Sequence, residues 1–575
     1  MTAAEIRPDR ETRSILVAGI AALLAAPVLI GLAGVVLPAV GYFPALGGDA
    51  LSLQPFRDLL AVPGIIPSAL LSLATGLVAT LLSVLAIVGF CAASWGTASF
   101  AAMRRLLAPL LAIPHAAAAL GLALLIAPSG PLFRLAALPL GLDRPPDLLV
   151  VGDPLGLSLT AGLVAKEAPF LLLVALAALP QAEPARRLRL AHALGYGRIV
   201  AFLLTVWPTV YRQIRLPVLA VLAFASSVVD VALILGPSTP PTLAVRLVGW
   251  MNDPDLSLRF LASAAALLQL GVTLAAVLLW LGLERVGTRL LRAAIHGGHR
   301  GTADRVVRQV LPLPFLVGAL ALGVGTAMLL VWSFAGYWPF PSLLPSLSMH
   351  NWMRAAASAG PPLRTTLLVA AMATLVALVL VVALLDAIRA RGGSMVRTKT
   401  HLPPALLAAV YLPLIVPQVA FLSGLQIAII ALGWTPGLPL LVAAHLVFVA
   451  PYLLLSLADP WFALDPRYER IGASLGRSRP ALFLRLRLPL LLAPLLSACA
   501  IGFAVSVGQY LPTLLIGAGR LPTITTEAVA LAAGGNRGLT AAYALLQTAL
   551  PCLVFALALA LPALRHRRRR GMKPA

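Results

Sequence analysis

The chain has 575 residues, of which 60% are hydrophobic and only 11% charged, with a mean hydropathy of +0.96 and a formal net charge of +23 at pH 7. Soluble proteins carry about 25% charged residues, so a single water-exposed globule is excluded and the apolar surface must meet lipid. The positive charge does not mark a nucleic-acid binder, because the basic residues form short clusters between apolar runs rather than one surface stripe.

In chain order, residues 1–14 carry Arg7, Arg10 and Arg13 ahead of an apolar run from Ile15 to Val40. That run exceeds the roughly 7–15 residues of a signal-peptide core, so it is read as a retained first span. A bilayer crossing needs roughly 20 apolar residues. Runs of that kind lie at 15–38, 66–90, 106–127, 155–179, 216–236, 261–283, 311–334, 365–387, 405–432, 438–457, 490–514 and 540–562. A lone segment in lipid must pair its own backbone polar groups, and no ten-residue alternating pattern of a barrel is present. The expected fold is an all-α polytopic membrane protein of about twelve helices.

Ionisable groups at membrane depth cost about 2.5–3.5 kcal/mol on insertion scales and default to functional candidates. They are His115 after Pro114 in the third span, Lys166 and Glu167 in the fourth, Asp230 in the fifth and His445 in the tenth. Lys166 and Glu167 are adjacent, point about 100° apart on a helix, and need not pair. Asp230 with Ser227, and Gln509 with Ser506 in the eleventh span, are approximately matched polar positions. Such groups either line a central path or are satisfied by hydrogen bonds within the bundle. Cys91, Cys499 and Cys552 lie in or beside apolar runs and make neither a disulfide framework nor a metal site.

Of the 43 lysines and arginines, Arg57, Arg134, Arg144, Arg246, Arg259, Arg354, Arg364, Arg520 and Arg537 fall in loops on one side, and Lys166 falls inside a span. All the others collect on the opposite side, including the tail Arg565–Arg570. The positive-inside rule places that side, with both termini, in the cytoplasm.

The chain also repeats itself. Arg189-Leu190-Ala191-His192-Ala193-Leu194-Gly195 aligns with Arg470-Ile471-Gly472-Ala473-Ser474-Leu475-Gly476, and the two glycines are 281 residues apart. Thirteen residues after each glycine stands a proline, Pro208 and Pro489. Upstream, Ala168-Pro169-Phe170 matches Ala450-Pro451-Tyr452; downstream, Pro241-Thr242-Leu243 matches Pro522-Thr523-Ile524. The near-constant offset divides the chain into a first half, 1–284, a linker, 285–310, and a second half, 311–575. An even number of spans per half gives both the same orientation, related by an axis along the membrane normal, with a pathway between them.

The repeated loops, 185–208 and 466–489, resemble the EAA loop of type I ABC importer permeases: Glu-Ala-Ala, three residues, Gly, nine residues, Ile-x-Leu-Pro. Gly476 followed by Leu486-Arg487-Leu488-Pro489 fits that spacing closely, whereas Gly195 followed by Thr205-Val206-Trp207-Pro208 keeps only the spacing and the proline. Both copies depart at the acidic position, which is Arg189 and Arg470; Glu469 stands one residue earlier in the second copy. The resemblance extends over nearly the whole chain. It is nearest to double-length permeases like those of the thiamine and ferric-iron importers, and nearer still to a subgroup of fused permeases beside them. The stretches Ser227–Pro237, Pro240–Val245 and Val505–Val529 carry that narrower likeness.

Without the resemblance, the loop reads as an amphipathic helix, a turn at glycine and a second helix that proline stops or kinks on re-entry, making a protruding knob. The resemblance implies that the knobs dock on an ATP-hydrolysing subunit, through Ala191, Gly195, Pro208, Ala473, Gly476 and Pro489. A phosphate-cradling Walker A loop needs Gly-Lys-Ser/Thr, and Lys166, Lys399 and Lys573 follow Ala165, Thr398 and Met572. The chain is therefore expected to hold no cofactor, with ATP and Mg²⁺ on a separate ABC ATPase homodimer. A periplasmic or lipid-anchored substrate-binding protein and a small-molecule substrate complete the expected partners, with no nucleic acid. The expectation is a multi-pass permease of the bacterial inner membrane, not an enzyme. Ser227, Asp230, Ser506, Gln509, Lys166 and Glu167 are its candidate path residues, and Asp230 suits a thiamine-like or other small cation, with ferric iron next. The competing reading is a secondary transporter using Lys166, Glu167 and Asp230 for ion coupling; a membrane enzyme lacks any nucleophile, metal or paired-acid constellation.

Overall fold

The structure, a computed structural model, describes residues 10–298, 300–301, 304–391 and 402–565. The basic run His566–Arg570 lies outside them. A first series of helices comprises α1 (Arg10–Ala39), α2 (Ile65–Ser94), α3 (Ala98–Ala112), α4 (His115–Ile126), α5 (Leu157–Ala178), α6 (Pro184–Ala193), α7 (Trp207–Ser227), α8 (Asp230–Leu235), α9 (Leu243–Met251) and α10 (Leu258–His296). A second series repeats their order: α11 (Leu313–Ser333), α12 (Gly360–Arg391), α13 (Pro404–Ile415), α14 (Gln418–Ala431), α15 (Leu438–Ala463), α16 (Pro466–Ser474), α17 (Leu492–Val507), α18 (Leu511–Gly517), α19 (Ile524–Ala533) and α20 (Arg537–Arg565). Shorter helices join them. Equivalent helices use equivalent caps: the Ser72 hydroxyl on α2 accepts from the Leu243 N–H that opens α9 (3.0 Å), and the Thr366 hydroxyl on α12 accepts from the Ile524 N–H that opens α19 (2.9 Å).

Among the described residues, nine helices are long and apolar enough to cross a bilayer. Two bent pairs, Pro404–Ile415 with Gln418–Ala431 at 93° and Pro480–Leu490 with Leu492–Val507 at 73°, bring the number to eleven. The expected fifth span, 216–236, is instead α7 followed by α8, broken at Val228-Val229 and polarised by Arg212 and Arg215. The third, 106–127, is split at Ile113-Pro114, where proline disfavours helix in the preceding residue. The sixth does not stop at 283: α10 runs on to His296, so the segment expected as a linker begins as helix.

Each series sends its first helix across to the other. α1 packs along α14, and α11 packs along α4. The crossings are made at glycine, because only a missing Cβ lets two helix backbones touch in lipid. A Cβ at Gly34 would overlap the carbonyl of Gly424, and one at Gly121 would sit 2.6 Å from the Gly325 carbonyl oxygen. Gly34→Leu or Gly424→Leu is expected to destabilise the fold by about 2 kcal/mol or more and to lower the yield of monodisperse protein in detergent. Gly19→Leu on the same α1, which meets nothing within 4 Å, is expected to leave that yield unchanged in size-exclusion chromatography.

α2, α5 and α15 lie in the middle of the bundle, mostly buried, whereas α1, α11 and α20 keep most of their surface outward. Val28, Val35, Phe421 and Phe448 pack where the two series interlock. The broken helices α3–α4, α7–α8 and α17–α18 bring their breaks toward this centre, and their freed backbone groups must find side-chain partners there.

Candidate functional site

Each knob is closed by the same hydrogen-bond pattern. After α6, the Gly195 N–H donates to the His192 carbonyl (2.9 Å) and the Tyr196 N–H to the Ala191 carbonyl (3.1 Å), with Gly195 at φ +80°. After α16, the Gly476 N–H donates to the Ala473 carbonyl (3.0 Å) and the Arg477 N–H to the Gly472 carbonyl (3.1 Å), with Gly476 at φ +74°. This is the Schellman ending, in which a left-handed residue satisfies the last carbonyls of a helix. It assigns Ala191 and Ala473 to carbonyl positions of the cap and explains glycine at the turn.

The chain then re-enters the bundle through a five-residue π turn, Phe202–Val206 in one copy and Phe483–Arg487 in the other. Pro208 and Pro489 follow after one intervening residue, Trp207 and Leu488. Proline has no N–H to give the preceding turn and its ring crowds the carbonyl four residues back; widening to π geometry accommodates both. The expected stop or kink is a π turn ahead of each proline, and in the second copy the chain also bends by 73° between Leu490 and Leu492.

The knob bases differ. Arg187 donates to the Thr205 carbonyl and the Thr209 hydroxyl, each at 2.7 Å. In the second copy, Arg487 pairs with Glu469 (2.8 Å) and with Asp386, while Arg389 reaches Glu469 (3.4 Å) and the carbonyls of Trp461 (2.7 Å) and Leu464 (2.8 Å). Glu469 therefore faces inward and ties α16 to the end of α12. The first knob has an additional cover: the Gly197 N–H donates to the Arg300 carbonyl (2.7 Å), and the Arg300 side chain lies against Gly195. Gly476 faces open space.

At the centre, α4 begins with His115, whose Nε2 lies 3.0 Å from Glu167 Oε1 on α5. Glu167 is buried and His115 partly exposed. Asp230, the first residue of α8 and also buried, lies within electrostatic reach of both. α5 packs against α11, and α8 against α19, both of the second series. Glu167 and Asp230 thus sit where the two series meet.

The other candidates have separate partners. Lys166 donates to the carbonyls of Leu110 (3.3 Å), Leu111 (3.3 Å) and Ile113 (2.5 Å), which the break between α3 and α4 leaves without helical partners. Ser227 bonds the Ala223 carbonyl of its own helix (2.8 Å). Ser506 joins His445, whose Nδ1 meets Ser506 Oγ at 2.8 Å and whose Nε2 meets Thr513 Oγ1 at 3.0 Å, so both ring nitrogens are satisfied. Gln509 lies in the α17–α18 break; in the 281-residue register Asp230 is opposite Leu511 and Gln509 opposite Val228, so the two polar residues occupy neighbouring rather than equivalent positions. Lys166→Met is expected to lower thermal stability by about 1–3 kcal/mol, the cost of unpaired buried carbonyls, while transport persists. A melting curve beside an uptake assay separates this from a path role.

One anchor had no sequence reading beyond its loop. Arg134 is buried and donates to the carbonyls of Ser129 (2.9 Å), Trp338 (3.1 Å), Pro339 (2.8 Å) and Ser342 (2.5 Å), with its guanidinium 4.5 Å from the Trp338 ring centroid. It fastens the first series to the loop after α11. A lone arginine in the otherwise apolar helix Pro131–Leu140 was its signal.

No family model matches the chain, and no solved structure matches it. Among curated proteins it is 33% identical over 509 residues to the inner membrane ABC transporter permease protein YnjC of Escherichia coli (strain K12), a match covering 88% of this chain and 90% of that protein.

Proposed function

The chain belongs to the ABC transporter permeases, a multi-pass inner-membrane transporter subunit rather than an enzyme, and from that premise we propose that it is the whole membrane unit of an ATP-driven, binding-protein-dependent importer. Residues 1–284 and 311–575 act as its two permease halves, joined by 285–310. Both termini and both knobs face the cytoplasm, where each knob engages one copy of a separate ATPase homodimer that carries ATP and Mg²⁺. A periplasmic or lipid-anchored binding protein delivers the solute from the other side. The observation that carries this reading is the pair of knobs with one cap geometry, one π turn and one 281-residue separation.

The solute is a small cation, thiamine-like in the first instance and ferric iron in the second. Glu167 and Asp230, buried between the two series and in no ion pair with a lysine or arginine among the described residues, support this. The path runs past these two, His115 and Gln509, while Lys166 and the His445–Ser506 pair hold the broken helices in place.

Co-expression with an ABC ATPase subunit tests the arrangement. Two ATPase copies per permease chain are expected in the detergent-purified complex, measured by mass photometry. A permease that elutes alone, or with a single ATPase copy, contradicts it.

A further inference from the structure

Each knob presents one outward face of the same composition. Along α6 and its cap, Arg186, Leu190 and Leu194 follow one another four residues apart, with Arg189 and Ala193 in the adjoining row. Along α16, Arg467, Ile471 and Leu475 make the first row and Arg470 and Ser474 the second. Side chains four apart lie on one helix face, so each row is a continuous ridge. All four apolar members are exposed: Leu190 at 60%, Leu194 at 65%, Ile471 at 58% and Leu475 at 74%.

Arg189 and Arg470 are exposed and make no hydrogen bond or ion pair with the described residues. Their neighbours behave otherwise. Arg187 and Arg487 turn inward, Arg186 pairs with Glu183 at 3.2 Å, and Arg467 lies 3.9 Å from Asp465. Both acids stand at the base of the knob; Glu469 is committed to Arg487 and Arg389. In both copies an unpaired guanidinium, Arg189 or Arg470, therefore stands in the row beside exposed apolar side chains that no described residue covers.

We propose that these faces dock into a groove on the ATPase subunit whose floor is apolar and whose wall presents a carboxylate to Arg189 and to Arg470. The proposal rests on the coupling role given to the knobs above, and it fixes the sign of the partner's charge. A guanidinium at a partly desolvated interface pairs in bidentate fashion with a carboxylate, and opposite charge sets which partner is accepted. An anionic membrane surface would also take an apolar ridge beside an arginine, but it gives no reason for two knobs with one cap geometry 281 residues apart. Two equal faces on one chain fit two copies of one protein.

The test measures affinity between the permease and its co-expressed ABC ATPase subunit, with the permease in phosphatidylcholine nanodiscs and again in phosphatidylglycerol nanodiscs. The double variant Arg189→Glu, Arg470→Glu is expected to weaken binding about tenfold or more in both lipids. Arg189→Lys, Arg470→Lys keeps the charge without the bidentate fork and is expected to lose less binding than the glutamate variant, which also shows that the knobs tolerate substitution there. Replacing the facing carboxylate of the ATPase with lysine is expected to restore binding to the glutamate variant. Unchanged binding by the glutamate variant overturns the proposal while leaving the coupling role intact, as does a loss that no acidic groove residue of the ATPase rescues. A loss confined to phosphatidylglycerol assigns the arginines to lipid and also overturns it. Absence of binding by the wild-type permease removes the coupling role itself.

Discussion

Replacing Gly195 and Gly476 together with valine is expected to abolish ATP-driven uptake while the helical bundle stays folded. Both glycines sit in the left-handed region, at φ +80° and +74°. An L side chain there costs about 1–2 kcal/mol, and a β-branched one more. The Schellman bonds cannot survive a shift to negative φ, so the ends of α6 and α16 fray and the knobs no longer act as rigid handles. The two sites should differ when changed singly. Asparagine tolerates left-handed backbone, so Gly476→Asn, facing open space, is expected to remain active. At Gly195 a Cβ would stand 3.1 Å from an Arg300 guanidinium nitrogen, and Gly195→Asn is expected to lose more activity because Arg300 must move. Circular dichroism establishes that the double variant is folded; uptake and ATP hydrolysis measured on the same preparation then report coupling. Full uptake by the folded double variant contradicts the role given to the knobs.

The second large effect concerns charge at the centre. Asp230→Asn and Glu167→Gln are each expected to lower uptake of a cationic solute by about 10–100-fold, the loss of one charge-assisted contact of about 1.5–3 kcal/mol in a dry site. ATPase binding, set at the knobs, is expected to stay at the wild-type level. Asp230→Glu retains the charge and is expected to recover part of the rate. An uptake rate untouched by either neutral substitution places the solute's path elsewhere and leaves the carboxylates a structural role.

Much of this architecture is legible along the chain because its causes are local. Apolar runs and the Gly–Pro spacing of the knobs each sit within a few dozen residues, and the physics of lipid and of left-handed backbone reads them directly; the 281-residue register is the distance between two such local stretches. The break in the third span follows from Pro114, which disfavours helix at Ile113. What was not legible depends on residues far apart in sequence. Gly34 meets Gly424 across the two series, and nothing in either neighbourhood announces the other. The same holds for Arg134, which caps carbonyls of Trp338 to Ser342, and for the His115–Glu167 contact. Lys166 illustrates the intermediate case: its burial was foreseeable, but its engagement with the α3 carbonyls follows from a helix break that only the fold places beside it.

Uptake into proteoliposomes containing the permease and its ATPase, loaded with binding protein and a small cationic solute on the outward face, addresses the central claim directly. Accumulation is expected only when ATP is present on the knob side, and it is expected to survive collapse of every ion gradient. Uptake driven by a proton gradient without ATP would contradict the account.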